Sequence, residues 1–279
     1  KCIICDSKES FTKIEKVTDR FSPLESYNIQ QCCCGMVMLN PRPNEKQIKQ
    51  HYRVENYHPQ NTSTGVFGFF YKFAQILNNF YKFKIINKYL DNGKALDYGG
   101  GDGNFQAFLS DKNWSVDIYE PFLKSEINGG NIISNIENIK INNYDLITMF
   151  HSIEHIHQID KSLKKIYLAL KKKSILMLAI PNYDAYERLY FRKKWVAYDA
   201  PRHLYHFNQN SLIRLLNKYN FKFIEKKPLY LDTFYNIIMS SNLSLISVLK
   251  SLLILIKSVF AIIRDDKKSS SLILVFKKI

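Results

Sequence analysis

From residue 94 onward the apolar positions alternate between two rhythms. Ala95 to Tyr98 is a short apolar run of the kind that forms a buried strand. Phe105, Phe108 and Leu109 then repeat at i, i+3 and i+4, which predicts a helix. Trp114, Val116 and Ile118 alternate as a second strand, Pro121 opens a short helix, and Ile132-Ile133 is a weak third strand. Asp145 to Phe150 is a clear buried strand. Ile159, Leu163, Ile166 and Leu170 mark a helix that Lys171 to Lys173 are expected to end, since cations suit a helix C-terminus. Ile175 to Ile180 is the next strand, closed by Pro181-Asn182. Leu212, Leu215, Leu216 and Tyr219 make another amphipathic helix, and Phe221 to Ile224 and Leu272 to Phe276 are the last two strands. Strands alternating with helices predict an α/β fold, a parallel sheet with helices on both faces.

Upstream, Gly65 to Leu90 reads as a helix. Phe73, Ile76, Leu77 and Phe80 form its apolar stripe, and Asp91-Asn92-Gly93 ends it. The polar, aromatic segment before it, Ile48 to Gln60, contains Tyr52, Tyr57 and His58. Leu243 to Ile263 is long and apolar enough to be mistaken for a membrane span. Its Ser244, Ser247, Lys250, Ser251, Lys257 and Ser258, however, fall within an arc of roughly 140° at about 100° per residue. The expectation is a helix packed on the domain's own core, with peripheral membrane contact as the alternative. Trp195 to Phe207 is too long and too decorated for a simple connector.

The candidate chemistry gathers at strand ends. Glycines stand at 99, 100, 101 and 103, between the first strand and its helix. Such a turn needs positive φ and close backbone approach, which glycine tolerates. It aims the amides of a helix start at a ligand, favouring negative charge. Glu120 ends the second strand, where an acid accepts hydrogen bonds from ribose hydroxyls in nucleotide-type folds. A dinucleotide fingerprint is excluded by frame: at the sixth position counted from Gly99, where G-x-G-x-x-G requires glycine, stands Asn104. Ligands in such sheets bind beyond the strands' carboxyl ends. The glycine loop, Glu120, His151 and Asn182 all sit at such ends, so one cleft is expected to gather them.

Composition changes the picture in two places. The 279 residues include 40 Lys and Arg against 25 Asp and Glu, a formal charge of +15. The lysines are scattered along the chain, so a dedicated nucleic-acid surface is not favoured. The hydrophobic fraction of 46% is ample for a core and against disorder. Five cysteines fall in two clusters, Cys2 and Cys5, then Cys32, Cys33 and Cys34. Clustered thiols point to a metal site in a reducing compartment rather than to disulfides. Two pairs can present four thiolates to zinc; the second pair is Cys34 with Cys32, or an adjacent pair. No secretory signal opens the sequence, and a cytoplasmic location is expected.

Asp97-x-Gly99-x-Gly101-x-Gly103, His151-Ser-Ile-Glu-His155, Ile180-Pro-Asn182 and Ala200-Pro-Arg-His-Leu-Tyr-His-Phe207 together resemble one group. It is the bacterial class I S-adenosylmethionine (SAM) methyltransferases that carry an N-terminal cysteine-rich ribbon. That group's opening pattern is matched by Cys2, Cys5, Cys34-Gly35 and Asn40-Pro-Arg-Pro43. The second knuckle is shortened, with Gln31 where a cysteine is usual, and Gly100 and Asp102 replace the commoner Cys and Thr. The resemblance implies a Rossmann-like seven-stranded sheet plus a small zinc-ribbon-like module. Its domains would be a ribbon over 1–45, a helical lead-in or lid over 46–92, and a methyltransferase domain over 93–279 with a helical insertion at about 232–268. SAM would be bound by Asp97, Gly99, Gly101, Gly103, Glu120 and Phe150, and structural zinc by Cys2, Cys5, Cys32 and Cys34.

An oxygen nucleophile needs a base of near-neutral pKa, for which His151, His155 and His203 are the candidates, with His206 beside them in the long loop. His155 is expected one helical turn from His151 on the same face. Some related O-methyltransferases bind a divalent metal through E-x-x-E-H; here Glu154-His155 match, with His203 as a distant ligand, while His151 replaces the first Glu. The leading expectation is methyl transfer to an O or N atom of a small molecule, such as a sugar or glycan precursor. Other readings are a nucleic-acid or protein methyltransferase docking through the ribbon, and a non-catalytic SAM-binding module. A hydride-transferring enzyme is the most distant.

Overall fold

The structure, a computed structural model, describes residues 1–22, 24–52, 65–121, 130–241 and 245–279, without the side chains of 65–67, 70, 71, 245 and 246. In chain order the elements are β1 (Phe11–Thr18), β2 (Ser26–Cys32), β3 (Val37–Leu39), α1 (Glu45–Tyr52), α2 (Gly65–Ile86), β4 (Lys94–Tyr98), α3 (Asn104–Ser110), β5 (Ser115–Tyr119) and β6 (Asn131–Ile133). There follow β7 (Tyr144–Phe150), α4 (Ile159–Ala169), β8 (Leu170–Pro181), α5 (Arg188–Phe191), β9 (Tyr205–His206) and α6 (Gln209–Asn217). The chain closes with β10 (Phe221–Pro228), α7 (Tyr230–Ser240), α8 (Leu245–Arg264) and β11 (Ser271–Lys278). Tyr57, His58 and the short helix expected after Pro121 lie outside the described residues. Two compact units result: one of Lys1–Phe69, Ile180–Leu212 and Lys227–Leu272, the other of Phe70–Ala179, Ile213–Lys226 and Ile273–Ile279.

The second unit is built on a seven-stranded sheet in the order β10-β11-β8-β7-β4-β5-β6. β7, β4, β5 and β6 run parallel, as does β8 beside β7. This is the α/β sheet that the alternating pattern predicts, and the seven-stranded Rossmann-like arrangement that the resemblance implies. The order has a physical signature: the last strand, β11, lies between β8 and β10. β11 is buried from Ser271 to Phe276, and β8 from Ser174 to Ile180, because helices cover both faces of an inner strand.

Two local expectations fail here. Lys171 to Lys173 do not cap a helix. α4 stops at Ala169, and the lysines sit in an irregular stretch of β8, where Tyr144 pairs Leu170 but Leu146 pairs Ile175. Lys173 has φ 66, and Lys171 instead reaches Asp145 at 2.8 Å. The α2 stripe Phe73, Ile76, Leu77 and Phe80 does not face a core either; these residues are 43 to 52% exposed. The helix buries Asn79, Ile85 and Ile86 instead. Periodicity reports that a helix has two faces, and what packs against it decides which is inside.

The first unit holds a four-stranded sheet in the order β1-β2-β3-β9. This sheet is therefore completed from far along the chain: Val37 pairs His206 and Met38 pairs Tyr205. Val17, Ile29, Val37 and Leu39 pack with Tyr183, Trp195, Tyr198 and Ala200 into one core. The decorated segment 195–207 is thus largely interior, and His206 is 4% exposed between the rings of Tyr198 and Tyr183. α8 is inverted relative to expectation: Ser258 is fully buried while the bulky aliphatic face is open. No helix among the described residues is long and apolar enough to cross a membrane.

Candidate active site

The glycine loop joins β4 to α3 at the carboxyl end of the sheet. Gly99, Gly101 and Gly103 have φ of 79, 56 and 76, the left-handed region that a Cβ disfavours. What a Cβ would meet differs along the loop. A Cβ at Gly99 would come within 2.6 Å of Ser152, so the loop lies directly on the turn after β7. A Cβ at Gly100 would meet Ile118 at 2.9 Å and Asp97 at 3.0 Å, so this glycine fills a tight place. At Gly101 a Cβ would meet no described atom within 4 Å; there the backbone faces open space.

Glu120 follows β5 and accepts the Gly101 N–H through Oε2 at 3.2 Å. α3 has only seven residues, starting from Gly103 without a side-chain cap, so the loop's own amides matter more than a helix dipole.

Asp97, 3% exposed, packs beneath the loop against Gly100. It accepts the Thr148 hydroxyl at 2.7 Å, tying β4 to β7. Burial pushes its carboxyl up to about 6, against the opposing pull of Thr148 and of the Lys82 charge. Phe150 closes the end of β7, edge-on to Phe105 at 4.8 Å, and the Lys82 ammonium lies 4.2 Å from its ring centroid. Lys82 comes from α2 and was invisible in the sequence, where it is one lysine among many. Asp97, Gly99, Gly101, Gly103, Glu120 and Phe150 are thus brought together in one unit.

His151 leaves β7 with φ 51, its amide bonded to the Ala179 carbonyl. A non-glycine residue held there costs on the order of 1–3 kcal/mol and persists where its surroundings impose it. Its side chain is 39% exposed, and Nδ1 lies 3.7 Å from Oε1 of Glu154, itself 1% exposed. Ile153–His155 is a 3-10 turn, so the one-turn spacing expected between His151 and His155 does not hold. Glu154 and His155 belong to the second unit; His203 belongs to the first, with Nδ1 2.8 Å from the Ala197 carbonyl. Asn182, expected at the cleft, is fully buried in the first unit, its amide donating to the carbonyls of Lys267 and Ser269 at 2.7 Å each. That amide is committed to holding the turn before β11.

The first unit gathers Cys2, Cys5, Cys32 and Cys34, whose sulfurs all lie within 4.8 Å of one another. Cys2 and Cys34 approach to 3.5 Å, Cys5 and Cys32 to 3.4 Å. Four cysteine sulfurs gathered this closely suit zinc, and Gly35 at φ 87 supplies the turn the shortened knuckle needs. The Ser7 backbone amide draws the Cys5 thiol down to about 6, while burial holds Cys2 and Cys32 above the ordinary thiol range. Cys33 is exposed.

The sequence reading missed a polar core in the same unit. Arg202, 0% exposed, pairs with Asp19 at 3.0 Å and Asp199 at 2.7 Å, and His51 Nδ1 meets Asp19 at 2.9 Å. Burial works against the guanidinium charge, but the two carboxylates hold its pKa above the usual arginine value.

A family model described as a methyltransferase domain matches residues 72–226. Comparison with curated proteins returns no match. Among solved structures, phosphoethanolamine N-methyltransferase 2 of Haemonchus contortus in complex with SAM aligns with TM-score 0.52 and 14% identity, over 98% of this chain and 70% of its own. The same enzyme with phosphomonomethylethanolamine and S-adenosylhomocysteine gives 0.51 and 15% over the same shares. A SAM-dependent methyltransferase from Archaeoglobus fulgidus gives 0.50 and 15%, over 77% of this chain and all of its own. At such identities these likenesses carry the fold. The match of the family model over more than half of the chain carries the family: the chain belongs to the methyltransferase-domain family.

Proposed function

We propose that the chain is a SAM-dependent methyltransferase acting on an O or N atom of a small-molecule acceptor. The observation that carries this is Gly101: left-handed, open on its Cα side, and sharing its amide with Glu120. That is a cradle where a ligand's backbone-facing atoms replace a missing side chain, with a carboxylate placed for ribose hydroxyls. The similar folds that hold SAM or S-adenosylhomocysteine support the choice of cofactor.

SAM would supply an electrophilic methyl on a sulfonium. The glycine-loop backbone from Gly99 to Gly103 would lie against the methionyl portion, Glu120 would take the ribose, and Phe150 and Phe105 would wall the cofactor. In-line transfer depends chiefly on alignment, which these contacts would provide. His151 would accept the acceptor's proton at Nε2, since Nδ1 faces Glu154, whose carboxylate stabilises the imidazolium. The four-cysteine cluster would hold zinc as a structural centre, contributing folding energy to the small ribbon.

The test is incubation with methyl-labelled SAM and fractionated cell extract. Label entering the small-molecule fraction supports the reading. Label confined to RNA or protein overturns the choice of acceptor.

A further inference from the structure

α8 has three sectors. Leu249, Leu252, Leu253, Ile256, Phe260 and Ile263 are 45 to 73% exposed and fall within an arc of roughly 100°, at about 100° per residue. Lys250, Lys257 and Arg264, all exposed, follow one another seven residues apart along one edge of that arc. The remaining sector packs inward through Ser251, Ser258 and Ile262. Ser251 hydrogen-bonds the Ser241 hydroxyl at 2.6 Å, so small polar residues lay α8 closely on the end of α7. The helix contains no acidic residue. It is about 30 Å long at 1.5 Å per residue.

The basic edge continues beyond α8. Lys257 lies 5.8 Å from the Tyr190 ring of α5, and Arg192, Lys193 and Lys194, all exposed, come directly after that helix. Tyr190 and its neighbour Leu189 are themselves exposed, at 44 and 58%.

A protein that needed only to fold would have turned the aliphatic side of α8 inward and the serines outward. We propose that this face docks on an anionic lipid bilayer, with the aliphatic sector among the acyl chains and the basic edge against the headgroups. Charge complementarity selects this occupant. An aliphatic face bordered by cations and free of acids is the pattern of a helix lying in the membrane plane, where apolar burial and attraction to anionic lipid add. The helix lies on the bilayer rather than across it, consistent with the lack of any spanning helix among the described residues. The proposal rests on no part of the methyl-transfer reading.

The test is flotation of the full chain, without SAM, on vesicles of phosphatidylglycerol and phosphatidylcholine in equal parts and on pure phosphatidylcholine. The protein should float with the first and far less with the second. Lys250→Glu, Lys257→Glu and Arg264→Glu together should lower partitioning by about a hundredfold, roughly fivefold per residue. Leu253→Asp with Phe260→Asp should abolish it while leaving circular dichroism and melting temperature unchanged, because both residues are already exposed. No flotation of the wild type overturns the proposal, as does equal flotation of either set of variants. Absence of flotation together with a concentration-dependent dimer that Leu253→Asp breaks would assign the face to a second copy and likewise overturn it.

Discussion

Asp97→Asn separates the cost of the site from its use. The wild-type carboxyl is 3% exposed and titrates at about 6, against 3.8 for an ordinary aspartate. At about 1.4 kcal/mol per pKa unit, ionising it costs the folded chain about 3 kcal/mol more than the unfolded one. A raised carboxyl pKa stabilises nothing at neutral pH. Its penalty is absent below the unfolded value and grows as pH rises to the folded value. Asparagine removes that penalty and keeps an oxygen for the Thr148 hydroxyl, but it brings two N–H donors that need partners. Leaving one unmet costs about 1–2 kcal/mol. The ligand-free variant should therefore be more stable than wild type by about 1–2 kcal/mol at pH near 7, and less stable by about 1 kcal/mol at about pH 4, where the carboxyl penalty has nearly gone and the cost of the unmet donor remains. Urea unfolding at both pH values reads this directly. The same variant should bind SAM more weakly, because the carboxylate that orients the loop is gone. A variant less stable than wild type at neutral pH, with a difference independent of pH, would show that Asp97 is not a buried charge held under strain, and the reasoning would fail.

Other outcomes follow from neighbouring geometry. His151→Asn, chosen because asparagine tolerates the left-handed backbone at φ 51, should reduce turnover about a hundredfold with SAM affinity little changed, measured by steady-state kinetics and calorimetry. Arg202→Met should destabilise the chain by about 3–5 kcal/mol in denaturant melts, because it takes the buried guanidinium away from the Asp19 and Asp199 carboxylates. Cys34→Ser should lower bound zinc, measured by mass spectrometry of the purified chain, and chelation should lower the melting temperature of wild type but not of the variant.

The parts legible in sequence were those encoded locally. The β4–loop–α3–β5 unit takes under thirty residues, and each glycine marks a backbone demand that the adjoining residues make visible. The two cysteine clusters were legible for the same reason, although only the folded ribbon places Cys34 with Cys2 and Cys32 with Cys5. What escaped was set by partners distant in sequence. Asp19, His51 and Arg202 stand far apart along the chain, and nothing in their spacing announces a buried ion cluster. Tyr205–His206 is too short to declare itself a strand, yet it completes the ribbon sheet. Lys82 reaches Phe150 only once α2 is docked on the sheet of its own unit. The serines of α8 are consistent with either side of a helix, and the choice between inside and outside depends on α7.

The central claim is that the open, left-handed Gly101 and Glu120 hold SAM. Titration calorimetry of SAM into wild type and Gly101→Arg tests it most directly, because a Cβ there meets no described atom within 4 Å and the longer arginine side chain would enter the space the cofactor must use. Micromolar binding by wild type and none by a variant with unchanged circular dichroism is the expected result. Equal affinity in both, or no affinity in wild type, would contradict the account.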